Sequence, residues 1–401
     1  MRRSVTAAYL AGLLIALLTG GAAASSGGPA SEREMPVMAA PLAVGDTGTA
    51  GRQLVGTVES VEATLGYTDP EPSLMLHYPG AEYVKVHLRQ LLLLPGDYLT
   101  VTDATGQEVY RYEADPLFGV GTEGQWTTSV TGDTAVLTLH RVAEAVPAGM
   151  DRLGVVIDQV ARGFLPEEPV PNPAPAPSPE SICGRDNSQD AACYRSSYPT
   201  IYRNTKAVAR LLIDGTELCT AFRVGPNNRM LTNHHCLPDD WSATRTEVWF
   251  NYQCAECNGW AVYRPTKVYV DRVLDRDPVL DYTLFTVDDF AAVAHYGYLE
   301  LANGSAISGE EIYIPQHPRG LPTRVAAVEA PGRNCVIIDT AADGYADRTD
   351  VTYYCDTDGG SSGSPVLSRR THQVVALHHF GGCPNSGVRM DLIRQRISRY
   401  L

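Results

Sequence analysis

Three short segments hold residues that would perform nucleophilic chemistry if folding brought them together. The first is Met230-Leu231-Thr232-Asn233-His234-His235-Cys236, where an apolar run leads into a polar turn and a histidine stands directly before a cysteine. Upstream lies Cys219-Thr220-Ala221-Phe222. A Cys219–Cys236 bridge would tie two neighbouring strands beside the histidine and hold it in place. The second segment, Val279-Leu280-Asp281-Tyr282-Thr283-Leu284-Phe285-Thr286-Val287, sets a carboxylate inside an apolar, β-prone run. Burying such a charge is costly without a partner. A histidine ring N–H would be that partner; the alternative is a solvated strand end. The third is Asp356-Thr357-Asp358-Gly359-Gly360-Ser361-Ser362-Gly363-Ser364-Pro365-Val366. Glycines let backbone N–H groups turn toward one point, as an oxyanion hole requires. Taken alone, the same run reads as a flexible loop.

The elements that must position these residues emerge from the rest of the chain. It has 401 residues, 44% of them hydrophobic and 19% charged, which is enough to build a core and to fill two or three domains. The net charge of −14 argues against nucleic acid as a main partner, because phosphate binding needs a basic face. Arg2 and Arg3, the apolar run Ala7 to Leu18, and the small residues Ala22 to Ala24 have the order of a secretory signal over 1–24. The run is short of the ~20 apolar residues that span a bilayer, so no membrane partner is expected after its removal. Export to a secreted, extracellular or periplasmic setting makes the cysteines disulfide candidates first. All nine lie between Cys183 and Cys383.

Residues 25–50 read as a flexible lead-in, and 51–165 as an accessory or pro-domain built from strands. Glu82 to Leu88 alternates; Asp97 to Thr102, a turn at Asp103 to Gly106, and Glu108 to Tyr112 form a hairpin signal; Ala135 to His140 is a further strand. This spacing predicts a β-sandwich. The Pro-Ala alternation from Pro166 to Pro179 makes 166–180 a semi-rigid linker. The remaining 181–401 is long enough for one large all-β domain.

Together the three segments resemble the chymotrypsin-fold serine peptidases, most closely the bacterial lysyl and glutamyl endopeptidase branches. Trp249-Phe250-Asn251-Tyr252-Gln253 and Gln316-His317-Pro318 add local similarity to lysyl endopeptidase. The resemblance covers 181–401 and implies two six-stranded β-barrels with the site between them. It implies Ser362 as nucleophile, His235 as general base and then acid, and Asp281 as the group that fixes the imidazole tautomer. His234 is the rival base, and the position before the half-cystine favours His235. The backbone N–H groups of Gly360 and Ser362 would bind the oxyanion. Ser361 stands where trypsin has an Asp that pairs with a freed N-terminus, so activation by such an ion pair is not expected.

For substrate binding the resemblance offers opposed signals. Asp356, six residues before Ser362, matches the pocket-base Asp of trypsin-like enzymes and favours cleavage after Lys or Arg. Leu377-His378-His379-Phe380-Gly381-Gly382 resembles the pocket wall of glutamyl endopeptidases, with His379 at the position that helps bind an acidic side chain and Gly381 beside it. The opposite charge of Asp356 tips the reading to basic substrates. Similarity to lysyl endopeptidase also implies Cys183–Cys383 and Cys193–Cys257 bridges; Cys335–Cys355 would make a fourth and leave Cys254 over. A zinc site at Cys254-x-x-Cys257 lacks a second ligand pair, so neither metal nor cofactor is expected. Asp97, Asp103 and Asp115 are calcium candidates only as turn carboxylates. The expected partners are protein or peptide substrates, and the expected state is a monomer. The other functional readings are a Glu-specific endopeptidase, a catalytically silent protease-like binding protein, and a general esterase with the same triad.

Overall fold

The computed structural model describes residues 51–69, 71–113, 124–142, 153–164 and 181–401. The signal reading over 1–24, the lead-in, the linker and Asp115 lie outside these residues. The described chain divides into two compact units, 57–164 and 51–56 with 181–401.

The first unit is a β-sandwich. One sheet orders the strands Gly56–Gly66, Gly154–Gly163, Tyr83–Leu92 and Gln125–Trp126, and Val130–Thr131 also pairs with Tyr83–Leu92. The other orders Ser73–His77, Thr134–His140, Tyr98–Asp103 and Val109–Glu113. Val84, Val86 and Leu88 from one sheet and Leu99, Val101, Leu137 and Leu139 from the other meet in one core, the sandwich that the period-two pattern predicts. The Asp103 turn closes its hairpin through its own carboxylate. Oδ1 accepts from the Gln107 and Glu108 N–H groups at 2.7 and 2.8 Å, and Oδ2 accepts from the Thr105 hydroxyl at 2.6 Å. Asp97 is likewise engaged, accepting from the Tyr67 hydroxyl at 2.6 Å and the Val142 N–H at 2.8 Å. These bonds account for the positions of the two carboxylates.

The second unit is built on a closed barrel of six antiparallel strands. Around the barrel they run Val208–Ile213, Glu217–Arg223, Met230–Thr232, Tyr282–Val287, Thr266–Asp277 and Glu247–Phe250, which pairs back to Val208–Ile213. Beside it stands a seven-stranded antiparallel sheet in the order Gln189–Asp190, Arg324–Ala326, Ile312–Gln316, Pro365–Ser368, Val374–Phe380, Asn385–Arg389 and Asp350–Tyr353. The fold is therefore mostly β and consistent with a trypsin-like double-barrel domain. Barrel strands bury both faces. Ala209, Leu211 and Ile213 point into the barrel interior with Met230, Phe250 and Phe285. Val208, Phe222, Leu231 and Leu284 face outward into a core shared with Leu367, Leu377 and Val388 of the second sheet. Double burial turns these strands into near-continuous apolar runs, so alternation does not betray the barrel.

The expected boundary assigns residues 51–56 to the accessory domain. The structure instead adds Gln53–Leu54 to the barrel sheet, antiparallel to Glu217–Arg223, with Gln53 opposite Leu218 and Leu54 opposite Glu217. The two-residue strand is too short to carry a periodic signal.

Disulfides join Cys183 to Cys383, Cys193 to Cys257, Cys219 to Cys236 and Cys335 to Cys355. Cys254 is free and buried, and Cys257, the other half of the zinc reading, is bridged. Cys219–Cys236 closes a separation of 17 residues. Loop-closure entropy makes such a bridge worth about 3 kcal/mol. Replacing both residues by Ala should lower stability by about that amount in urea melts. An unchanged midpoint would mean that the bridge does not brace the His235 turn.

Candidate active site

The His235 turn leaves the strand Met230–Thr232 and is pinned at its far end by the Cys219–Cys236 bridge. Asp281 grips it twice. Its Oδ2 accepts from His235 Nδ1 at 2.8 Å, and its Oδ1 accepts from the His235 backbone N–H at 2.9 Å. The Asn233 amide donates to the Asp281 carbonyl at 2.9 Å, fixing the same turn from the other side. Asp281 has a φ of +40°, the left-handed region that non-glycine residues seldom adopt. That conformation sits where the Asp277 turn feeds the strand Tyr282–Val287, with Asp277 Oδ1 accepting from Val279 and Leu280 N–H at 2.8 and 3.1 Å. Local strain of this kind persists where the surroundings over-determine it, as active sites do. His235, and not His234, is the ring that Asp281 orients.

Ser362 lies in the tight turn 358–364. Ser361 N–H donates to the Asp358 carbonyl and Ser364 N–H to the Ser361 carbonyl, both at 2.9 Å. Gly360 and Gly363 have φ of +94° and +87°. A Cβ on Gly363 would fall 2.0 Å from the Thr220 carbonyl oxygen, and one on Gly360 would fall 2.5 Å from Leu218 Cδ2. Only glycine lets the turn lie this close to the Glu217–Arg223 strand. Thr220 N–H donates to the Ser362 carbonyl at 2.8 Å, and its hydroxyl donates to the Gly360 carbonyl at 2.8 Å. The turn that holds the hydroxyl is thus bolted to the strand that carries Cys219, next to the histidine. Ser361 accepts from the Asp358 N–H at 3.2 Å and is fully buried, so its hydroxyl serves the turn.

Ser362 Oγ and the His235 ring converge on one residue, Gly51. The Ser362 hydroxyl donates to the Gly51 carbonyl at 3.4 Å. A Cβ on Gly51 would lie 2.8 Å from His235 Nε2. His235 Nε2 is buried and makes no hydrogen bond. The direct Ser362–His235 bond is therefore not formed in this structure, and Gly51 stands where it would form.

Behind Asp281 is an arrangement that the sequence did not lead us to expect. Asp281 Oδ2 also accepts from His379 Nδ1 at 3.1 Å, and His379 Nε2 donates to Asp350 Oδ2 at 2.6 Å. The Ser386 hydroxyl donates to the same Asp350 oxygen at 2.9 Å. Both ring nitrogens of His379 are occupied by carboxylates and its side chain is fully buried, so it has no donor left for a substrate side chain. The pocket-wall role assigned to it from the sequence gives way to a charge-bracing one. Burial alone would push the imidazole pKa down, but the hydrogen bonds and charges of Asp281 and Asp350 raise it to about 9. Burial pushes the Asp281 carboxyl up, and the charge and hydrogen bond of His235, joined by His379, hold it well below the usual carboxylate range. His378 belongs to the core: Tyr353 Oη bonds its Nδ1 at 2.7 Å, and burial, aided by the neighbouring His379 charge, brings it down to about 3. Asp350 was legible by the rule that found Asp281, since Thr349-Asp350-Val351-Thr352-Tyr353 also sets a carboxylate in a β-prone run.

Linkage gives this bracing a pH signature. A group whose folded pKa is raised stabilises fully below its ordinary value and loses that contribution as pH rises through the folded value. For His379 the window runs from 6.5 to about 9. The urea midpoint of the full chain should fall across that window, and the fall should flatten in His379→Gln. Equal slopes in both proteins would show that His379 is not charged between its carboxylates.

Asp356 is also internal. Its Oδ1 accepts from Cys183 N–H at 3.2 Å, and its Oδ2 from Asn187 N–H at 2.8 Å and Asn187 Nδ2 at 3.2 Å. Burial raises its pKa, with those donors opposing the rise. The carboxylate anchors the 183–187 segment. Gly381 directly follows the strand Val374–Phe380 and is half-buried. Among the described residues the one grouping with metal-ligand proximity is Cys219, His235 and Cys236, whose two sulfurs are already bonded to each other.

A curated relative, secreted RxLR effector protein 73 of Plasmopara viticola, is 38% identical over 217 residues. That match covers 52% of this chain and 53% of the relative, so the chain spans about half the relative's length. Among solved structures, an inactive form of Rv3671c from M. tuberculosis is similar at 15% identity and a TM-score of 0.38, over 51% of this chain and 92% of that one. A Glu endopeptidase is similar at 18% identity and a TM-score of 0.38, over 55% of this chain and 98% of that one. The family description "trypsin-like peptidase domain" matches residues 219–377, which span the His235 turn, Asp281 and Ser362. Residues 219–377 are thus similar to a trypsin-like peptidase domain.

Proposed function

We propose that the chain is a secreted serine endopeptidase. Ser362 Oγ attacks the carbonyl carbon of a substrate peptide bond while His235 Nε2 takes its proton. Asp281 holds the ring by Nδ1 and stabilises the imidazolium that forms. The backbone N–H groups of Gly360 and Ser362 receive the developing oxyanion. Collapse expels the amine, which leaves with the proton from His235; water, activated by the same ring, then frees the acyl group and restores the serine. The observation that carries this reading is the double grip of Asp281 on His235, on the ring and on the backbone, at a turn bridged to the strand that seats Ser362. The leader over 1–24, four disulfides and a relative named as secreted support export.

Hydrolysis of a peptide panel tests the reading. Peptides with Lys, Arg, Glu or Phe before the cut should include at least one that the wild type cleaves and Ser362→Ala does not. Cleavage after Lys or Arg would support a preference for basic side chains on that side, and selective cleavage after Glu would exclude it. A protein that cleaves none of them even after proteolytic processing, while retaining high-affinity binding to proteins, would replace the peptidase reading with that of a protease-like binding protein.

A further inference from the structure

Residues 51–54 lie in the catalytic cleft as an extended peptide would. The Gly51 carbonyl accepts from the Ser362 hydroxyl at 3.4 Å. From there the chain runs along the edge of the barrel, pairing Gln53 and Leu54 antiparallel with Leu218 and Glu217. Val55 N–H continues the pairing with a bond of 2.8 Å to the Thr216 carbonyl. Addition of a strand to an exposed sheet edge is a common way to hold a peptide: the main chain supplies affinity and side-chain pockets supply selectivity. The Gln53 side chain reaches the nucleophile turn, since a Cβ on Gly359 would meet its Oε1 at 1.9 Å.

Arg52 is the first residue after the carbonyl at the serine. Its Nη1 is 2.6 Å from Glu217 Oε2, and its Nε donates to the His235 carbonyl at 3.2 Å. The two charged side chains are only 4% and 15% exposed, so the pair is set into the cleft. Charge pairs desolvated in this way select their partner strongly, because a neutral or acidic replacement leaves one charge buried alone. Chain direction fixes the meaning of the position. A residue that comes directly after the carbonyl at the nucleophile occupies the leaving-group side of a bond to be cut.

We propose that residues 51–54 are a built-in occupant of the active-site cleft that holds the enzyme inactive, and that Glu217 is the residue that selects a basic side chain immediately after the cut. The inference rests on the peptidase reading of Ser362. Two features make the occupied site unreactive. The Ser362 hydroxyl is directed to the Gly51 oxygen, and Gly51 covers His235 Nε2, which has no hydrogen bond. A Cβ at position 51 would collide with the imidazole, so this close approach requires glycine there. Departure of the segment lets Ser362 and His235 meet and frees Glu217 for a substrate. Activation then comes from emptying the cleft and needs no newly formed N-terminus.

The test uses the full chain with charge changes. Arg52→Glu sets two carboxylates against each other and should raise both peptide hydrolysis and fluorophosphonate labelling of Ser362 at least ten-fold. The exchanged pair Arg52→Glu with Glu217→Arg should bring labelling back down. With peptides sharing one acyl side, Arg52→Glu should cleave before Arg at least ten-fold faster than before Glu, and the exchanged pair should reverse that order. Equal labelling of the wild type and Arg52→Glu, or an order of cleavage unmoved by Glu217→Arg, would overturn the proposal while leaving Ser362 as nucleophile. Absence of labelling in all these proteins would instead remove the peptidase reading itself.

Discussion

Ser362→Ala should lower kcat/KM by about 10^4- to 10^6-fold and leave the melting temperature within a few degrees. On the proposed mechanism, loss of the Ser362 hydroxyl removes the covalent route entirely, and what remains is the modest acceleration from oxyanion binding and substrate positioning. Stability should hold because the Ser362 contacts that brace the turn are made by its backbone: the carbonyl accepts from Thr220 N–H at 2.8 Å. Alanine keeps that bond and asks for no new volume. Steady-state peptide hydrolysis beside a thermal melt checks both halves. A loss of under ten-fold would mean that another group carries the chemistry; a large fall in melting temperature would mean that the activity loss reports unfolding.

Asp281→Asn should reduce kcat by about 10^4-fold, the cost of presenting the imidazole in the wrong tautomer. An Asn amide offers one acceptor oxygen and an N–H2 group in place of two acceptors. Asp281 now satisfies three donors: the His235 ring, the His235 backbone and the His379 ring. Asn cannot accept from all of them, so His235 is no longer held with Nε2 ready to take a proton. His379 would keep Asp350 as its only carboxylate, and its raised pKa should come down. Breaking one side of a buried ionic group costs about 3–5 kcal/mol, so the assay belongs well below the melting temperature of the variant. A variant that keeps a tenth or more of wild-type kcat with an unchanged melt would show that Asp281 neither orients the base nor braces the relay.

The two halves of the site differed in how openly the sequence displayed them. His235, Asp281 and Ser362 were legible because each breaks the pattern around it: a histidine against a cysteine, a carboxylate in an apolar strand, a serine among glycines. The sandwich strands were legible by alternation, since one face of each sheet is wet; Tyr98–Asp103 and Val109–Glu113 fall within a residue of their expected limits. The barrel strands were not, because Val208–Ile213 and Tyr282–Val287 are buried on both faces. The partners of His379 are invisible in the sequence around it. Its neighbours Asp281 and Asp350 lie 98 and 29 residues away along the chain, and no local pattern joins them. Arg52 and Gln53 were overlooked for a related reason. Their significance comes from pairing with Glu217 and Gly359, which only the folded edge of the barrel brings near.

A nucleophilic Ser362 activated by His235 is the central claim. The most direct measurement is peptide mapping after exposure of the full chain and its Arg52→Glu variant to a fluorophosphonate. A single phosphonyl adduct should form on Ser362, faster in the variant, and should be absent from Ser362→Ala and from His235→Ala. An adduct on any other residue, labelling that survives both alanine substitutions, or no adduct in either the full chain or the Arg52→Glu variant would contradict that claim.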